Sequence, residues 1–174
     1  MPPRFSLARR KATKLLRAAN VSEAPVPVEL LAEQAGAIIY YEPFDGRLSG
    51  MIHRQPNGRV VIGVNSSHAP TRQRFTIAHE LGHLLLHKEE LLHVDESASI
   101  RFRDEESSLA TKADEIEANQ FASELLMPAH LVWKEIDALP DDLDPEDAIP
   151  VLAERFEVSE QAMTLRLNRL GALV

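Results

Sequence analysis

His79-Glu80-Leu81-Gly82-His83, set inside the longer run Arg74-Phe75-Thr76-Ile77-Ala78-His79-Glu80-Leu81-Gly82-His83-Leu84-Leu85-Leu86-His87, decides how the rest of the chain is read. The run favours a helix, and Phe75, Ala78, Leu81, Leu85 and Leu86 can form one buried stripe. Residues four apart lie one above the other on a helix, so His79 and His83 can present two imidazole nitrogens to one metal ion. Glu80 follows the first histidine and flanks that position without filling it. Two ligands and a general base is the division of labour in zinc hydrolases, where zinc lowers the pKa of a coordinated water to about 7. The competing reading is a helix with two core or solvated histidines, and the apolar frame disfavours it. Gly82 weakens a helix by about 1 kcal/mol against Ala, which implies close packing or metal access.

A catalytic zinc usually has three protein ligands. The longer three-histidine version of the motif needs Gly at position 86 and His at 89, and Leu86 and Glu89 stand there instead. His87 lies one turn past His83, but three ligands in a row on one helix cannot surround a tetrahedral ion. It suits a place beside the ligands, or a charge at the helix C-terminus. A second helix, Asp114-Glu115-Ile116-Glu117-Ala118-Asn119-Gln120-Phe121-Ala122, offers carboxylates. Ala118, Phe121, Ala122 and Leu125 form its packing face, which Glu117 borders. Glu117 is therefore preferred as third ligand over Glu115, with Asp114 behind both.

The chain has 174 residues, enough for one domain with a real core and a small appendage. Cysteine is absent, which excludes disulfides and thiolate metal sites. No stretch nears the roughly 20 apolar residues of a membrane span, and the N-terminal basic residues interrupt any signal core. A cytoplasmic protein with no membrane partner is expected. The net charge of −8 argues against general nucleic-acid binding. Charge is uneven: residues 1–22 carry Arg4, Arg9, Arg10, Lys11, Lys14 and Arg17 and no acid. This basic segment is expected to pair with the chain's own acidic surface.

Along the chain, helices are expected over residues 4–19 and 28–35, the second closed by Gly36. Strands follow over 37–41, 48–53 and 59–64, the last two joined by a hairpin at Pro56-Asn57-Gly58. Thr71 is a candidate N-cap for the motif helix. Residues 93–110 read as a mobile surface loop and 114–126 as a helix stopped by Met127-Pro128. A short helix at 130–138 and a linker at 140–145 precede two helices, 151–156 and 160–170, with Ser159 as N-cap. The last pair, with Arg155, Arg166 and Arg169, resembles a helix-turn-helix. With so few cations, packing or substrate docking is preferred to DNA contact. Strand 59–64 is a candidate sheet edge for an added substrate strand. Candidate oxyanion donors are His53, His68, Tyr40, Tyr41 and Arg72.

The stretches 74–83 and Glu117-Ala118-Asn119-Gln120-Phe121-Ala122-Ser123-Glu124-Leu125-Leu126-Met127-Pro128 together resemble the ImmA/IrrE family of bacterial metallopeptidases. The likeness is clear over residues 10–130 and extends into the tail. It implies one zinc per chain, held by His79, His83 and Glu117, with Glu80 as general base. It also implies site-specific cleavage of a helix-turn-helix transcriptional repressor, regulating stress or mobile-element genes. The expected architecture is an α+β, zincin-like fold. A small, mostly antiparallel sheet packs on a zinc-binding helix pair in residues 1–138, and residues 139–174 form a linker and helical appendage. The rival function is a non-catalytic zinc-containing regulator that binds and displaces a repressor. Glu80 speaks against it, because a structural site needs no base.

Overall fold

The computed structural model describes residues 2–45, 48–87, 92–96, 105–140 and 143–172. Among them, α1 is Phe5–Ala18, α2 Val28–Gln34, β1 Ala37–Glu42, β2 Leu48–Arg54 and β3 Val60–Asn65. Then come α3 Pro70–Leu86, β4 Leu92–Glu96, α4 Glu105–Leu126, α5 Ala129–Ile136, α6 Pro145–Phe156 and α7 Glu160–Leu170. The class is α+β, as expected. No helix among the described residues is long and apolar enough to cross a membrane.

The sheet has the order β1-β3-β2-β4 and is mixed. β1 runs parallel to β3, whereas β2 is antiparallel to both β3 and β4. The β2–β3 hairpin turns where the dipeptide Asn57-Gly58 predicts: Gln55 accepts from the Gly58 N–H at 2.9 Å, and Gly58 has φ +83°. That backbone conformation is why glycine stands there. Two expectations fail at the sheet. Strand β3 is bonded on both sides, so it is no edge; β1 and β4 are the outer strands among the described residues. The expected loop over residues 93–110 instead contains most of β4 and the start of α4, while residues 97–104 lie outside the described residues. The opening of α4, Glu105-Glu106-Ser107-Ser108, has no apolar periodicity from which a helix could be read.

Helix α3 begins at Pro70 with Ala69 as its cap, two residues before the expected cap Thr71, because proline's fixed φ suits the first helical position. It then runs through the interior, and every residue from Thr76 to His83 is buried. Helix α1 buries Ala8, Ala12 and Leu16, spaced by four, against the same core. Leu152, Phe156, Met163 and Leu167 of α6 and α7 join the cluster that holds Ile77, Leu81 and Phe121. Pro150 lies inside α6, so the helix starts before the expected residue 151 and forgoes one backbone bond.

The arginines of the C-terminal helices pair with groups of the chain itself, and Arg166 does so from the interior. Arg166 is 2% exposed, pairs with Glu124 at 2.7 Å and donates to the Met127 carbonyl at 2.9 Å. Arg155 pairs with Glu135 at 2.7 Å, and Arg169 donates to Gln120 at 3.0 Å. The basic N-terminal helix likewise meets internal acids, through Arg4–Glu117 and Arg9–Glu124. Burial opposes ionisation of Glu124, but the hydrogen bond and charge of Arg166 outweigh it and hold the carboxyl below its usual 4.5. The stabilisation from a depressed carboxyl is complete above its unfolded pKa and lost as pH falls through the folded value. Arg166→Leu should cost about 3–5 kcal/mol at neutral pH by leaving a buried charge poorly compensated. Urea unfolding should also show wild type losing stability below pH 4.5 more steeply than the variant.

Candidate metal centre

The α3 turn stacks His79 and His83, with their Nε2 atoms 3.1 Å apart and both rings nearly inaccessible. Glu80 is fully buried on the neighbouring side of the helix, toward β2. Gly50 of β2 makes this possible. A Cβ placed there would meet the Thr76 methyl and the Gly63 carbonyl oxygen, the latter at 2.9 Å, and would sit 3.6 Å from Glu80 Oε1. A side chain at position 50 would push the sheet off the helix beside the motif.

Helix α4 approaches from the other side, and Gly82 sets how close it comes. A Cβ at Gly82 would lie 3.1 Å from Ala118 Cα and 3.2 Å from Phe121 Cδ1. The loss of helix propensity at Gly82 is thus exchanged for a close helix pair. That approach places Asn119 Oδ1 3.1 Å from His79 Nδ1. An amide oxygen only accepts, so the His79 proton sits on Nδ1 and the Nε2 lone pair is left facing inward.

The carboxylate that arrives there belongs to Glu115. Its Oε2 is 3.3 Å from His79 Nε2 and its Oε1 3.2 Å from His83 Nε2. Glu117, the expected third ligand, lies elsewhere. It accepts from Arg4 backbone N at 2.7 Å, from Arg4 Nε at 2.9 Å and from Arg4 Nη2 at 2.8 Å, and it meets His87 Nε2 at 3.0 Å. Burial would raise its carboxyl, but the bonds from Arg4 and His87 hold it at about 2. The error has a simple origin. Helix α4 has two packed faces: the apolar face with Ala118 and Phe121 meets Gly82 of α3, and Glu117, which borders it in sequence, turns to the side where Arg4 and Arg9 meet Glu117 and Glu124. Glu115 shares the other stripe with Ala118, Asn119 and Ala122, three, four and seven residues on. Asn119 and Gly82 were the signals for that face, and burial was the wrong guide.

The donor set suits a divalent transition metal. Ligand atoms about 2.0–2.2 Å from a tetrahedral ion lie roughly 3.3 Å from one another. The two imidazole nitrogens here are 3.1 Å apart, and each meets one oxygen of the Glu115 carboxylate, at 3.3 and 3.2 Å. Two imidazoles and one carboxylate match the open, three-ligand catalytic pattern. His87, Asp114 and Glu117 form a second group of possible ligands, but the Arg4 guanidinium already lies against that carboxylate.

Other side chains sort around this centre. Arg54 of β2, unremarked in the sequence, donates to the carbonyls of His83 at 3.0 Å and His87 at 2.8 Å, satisfying the end of α3. Of the oxyanion candidates, Tyr40 and Tyr41 lie on the outer strand β1, two strands from β2. Arg72 donates to Ser49 at 2.9 Å, next to Gly50.

An interior helix with paired histidines, a buried glutamate beside them and a carboxylate from a neighbouring helix defines a metallopeptidase-like site. The chain belongs to the Peptidase_M78 family, described as the IrrE N-terminal-like domain, which matches residues 32–168. It is 39% identical over 100 residues to the radiation response metalloprotease IrrE of Deinococcus deserti, covering 57% of this chain and 32% of that one. It is 32% identical over 102 residues to an uncharacterized immunity region protein 2 of Bacillus phage phi105, covering 57% and 60%. The matches thus span less than two thirds of either relative. A solved structure described as a Mycobacterium tuberculosis transcriptional regulator shares the fold, with TM-score 0.62 at 16% identity over 92% of this chain and 46% of that one.

Proposed function

We propose that this chain is a zinc-dependent, zincin-like endopeptidase that makes a specific cut in a helix-turn-helix transcriptional repressor in the cytoplasm. The observation that carries the catalytic half is the convergence of His79 Nε2 and His83 Nε2, 3.1 Å apart, on the Glu115 carboxylate, whose two oxygens meet them at 3.3 and 3.2 Å, with Glu80 buried beside them. His79, His83 and Glu115 hold one zinc, and Asn119 orients His79. A bound zinc supplies Lewis-acid polarisation of the scissile carbonyl and a lower pKa for the attacking water. Glu80 takes the proton of that water on its carboxylate and returns it to the departing amine. Burying a carboxylate beside the histidines is costly, and acting as a base gives it a purpose that a structural site would lack.

An extended peptide needs a free strand edge. With β3 enclosed, β4 is the outer strand nearest β2 and Gly50, and we assign substrate alignment to it. The substrate class is supported by family resemblance, by the phage relative from an immunity region and by the fold shared with a transcriptional regulator. Residues 1–138 carry the peptidase in this reading, and 139–174 the helical appendage that docks substrate. The test incubates metal-loaded protein with the helix-turn-helix protein encoded beside its gene and, separately, with casein. One discrete cut in the repressor and negligible casein hydrolysis are expected. Rapid casein degradation with no preference for the repressor would replace this reading with a general peptidase.

A further inference from the structure

We propose that Arg4, Glu117 and His87 form a positioning chain that fixes the tautomer and ring orientation of His83, presenting its Nε2 lone pair toward His79 and Glu115. The proposal rests on the metal-binding reading of His79, His83 and Glu115. It starts at Glu117, whose carboxylate is 3% exposed and held by the Arg4 side chain and backbone N–H at 2.7–2.9 Å. An ionised carboxylate only accepts. The 3.0 Å contact with His87 Nε2 therefore places a proton on that nitrogen. Asp114 Oδ1, 3.4 Å from the same nitrogen, favours the same proton.

A neutral His87 protonated on Nε2 has a bare Nδ1. That Nδ1 lies 3.1 Å from His83 Nδ1, so His83 must be the donor in this contact. A neutral His83 protonated on Nδ1 keeps its lone pair on Nε2, the atom 3.1 Å from His79 Nε2 and 3.2 Å from Glu115 Oε1. Metal binding selects this direction: a histidine that ligates through Nε2 is neutral with its proton on Nδ1, so the His87 Nδ1 that faces it accepts. The helix end is also held: Arg54 clamps the carbonyls of both His83 and His87. Asn119 serves His79 as this chain serves His83, so each histidine has its remote nitrogen occupied by an acceptor. Metal-binding histidines generally show such a partner, whose loss weakens metal binding about 10–100-fold. A second cation on His87, Asp114 and Glu117 is the competing use of these groups. It is disfavoured because Arg4 reaches both oxygens of Glu117.

The experiment titrates the full chain and its His87→Leu, His87→Gln and Arg4→Ala variants with Co(II) and Zn(II), using chelator competition, the visible Co(II) spectrum and circular dichroism. Wild type should bind one metal. His87→Leu should stay folded, bind about 10–100-fold more weakly and show a shifted Co(II) spectrum. Arg4→Ala should move in the same direction. His87→Gln should recover most of the affinity, since an amide can accept from His83 and donate to Glu117, which a packing role would not explain. The chain is overturned if His87→Leu binds within about threefold of wild type with an unchanged spectrum, well short of that loss, or if His87→Gln is as weak as His87→Leu. Two metals in wild type and one in His87→Leu would make the group a second cation site. A wild type that takes up no metal overturns the metal reading itself, and this proposal with it.

Discussion

Glu80→Gln should leave the chain folded and loaded with one metal yet lower peptide cleavage by about 10²–10⁴-fold, the contribution typical of a general base. The amide has nearly the shape of the carboxylate, so the packing of Glu80 against β2 beside Gly50 is kept. It cannot accept a proton at neutral pH. Metal analysis, circular dichroism and single-site cleavage of the repressor measure the three quantities separately. Undiminished cleavage by a metal-loaded Glu80→Gln protein would remove Glu80 from the mechanism and leave the site a binding centre.

Metal analysis should also rank Glu115→Ala below Glu117→Ala in affinity. Removing Glu115 takes away the carboxylate whose oxygens lie 3.2 and 3.3 Å from the two histidine Nε2 atoms. Removing Glu117 disturbs only the partner of His87, a loss of about 10–100-fold for an outer contact. This order reverses the one that sequence patterning suggests. If Glu117→Ala empties the site while Glu115→Ala stays loaded, the proposed ligand set is wrong and Glu117 returns as third ligand.

Much of the architecture could be read from local pattern because the determining forces are local. The Pro56-Asn57-Gly58 turn, the capping of α7 by Ser159, whose Oγ accepts from Ala162 N at 3.2 Å, and the four-residue spacing of α1 each act over one turn. The lengths of α3 and α4 were harder. Their average amphipathicity is weak because α3 is buried all round from Thr76 to His83 and α4 packs on two sides. Strand β4 was missed because five residues paired to β2 leave no pattern outside the sheet.

The sequence by itself determined that His79, Glu80 and His83 share one helix, and that a second helix carrying acids and an Asn would meet it. Helix periodicity is a property of a single segment, so spacing alone suffices for that much. Which acid reaches the histidines was decided only in three dimensions. The close approach permitted by Gly82 against Ala118 turns the Glu115–Asn119 stripe toward α3, and α1 claims the opposite face through Arg4 and Arg9. A helix with two packed faces offers two equally reasonable stripes, and only its neighbours choose between them.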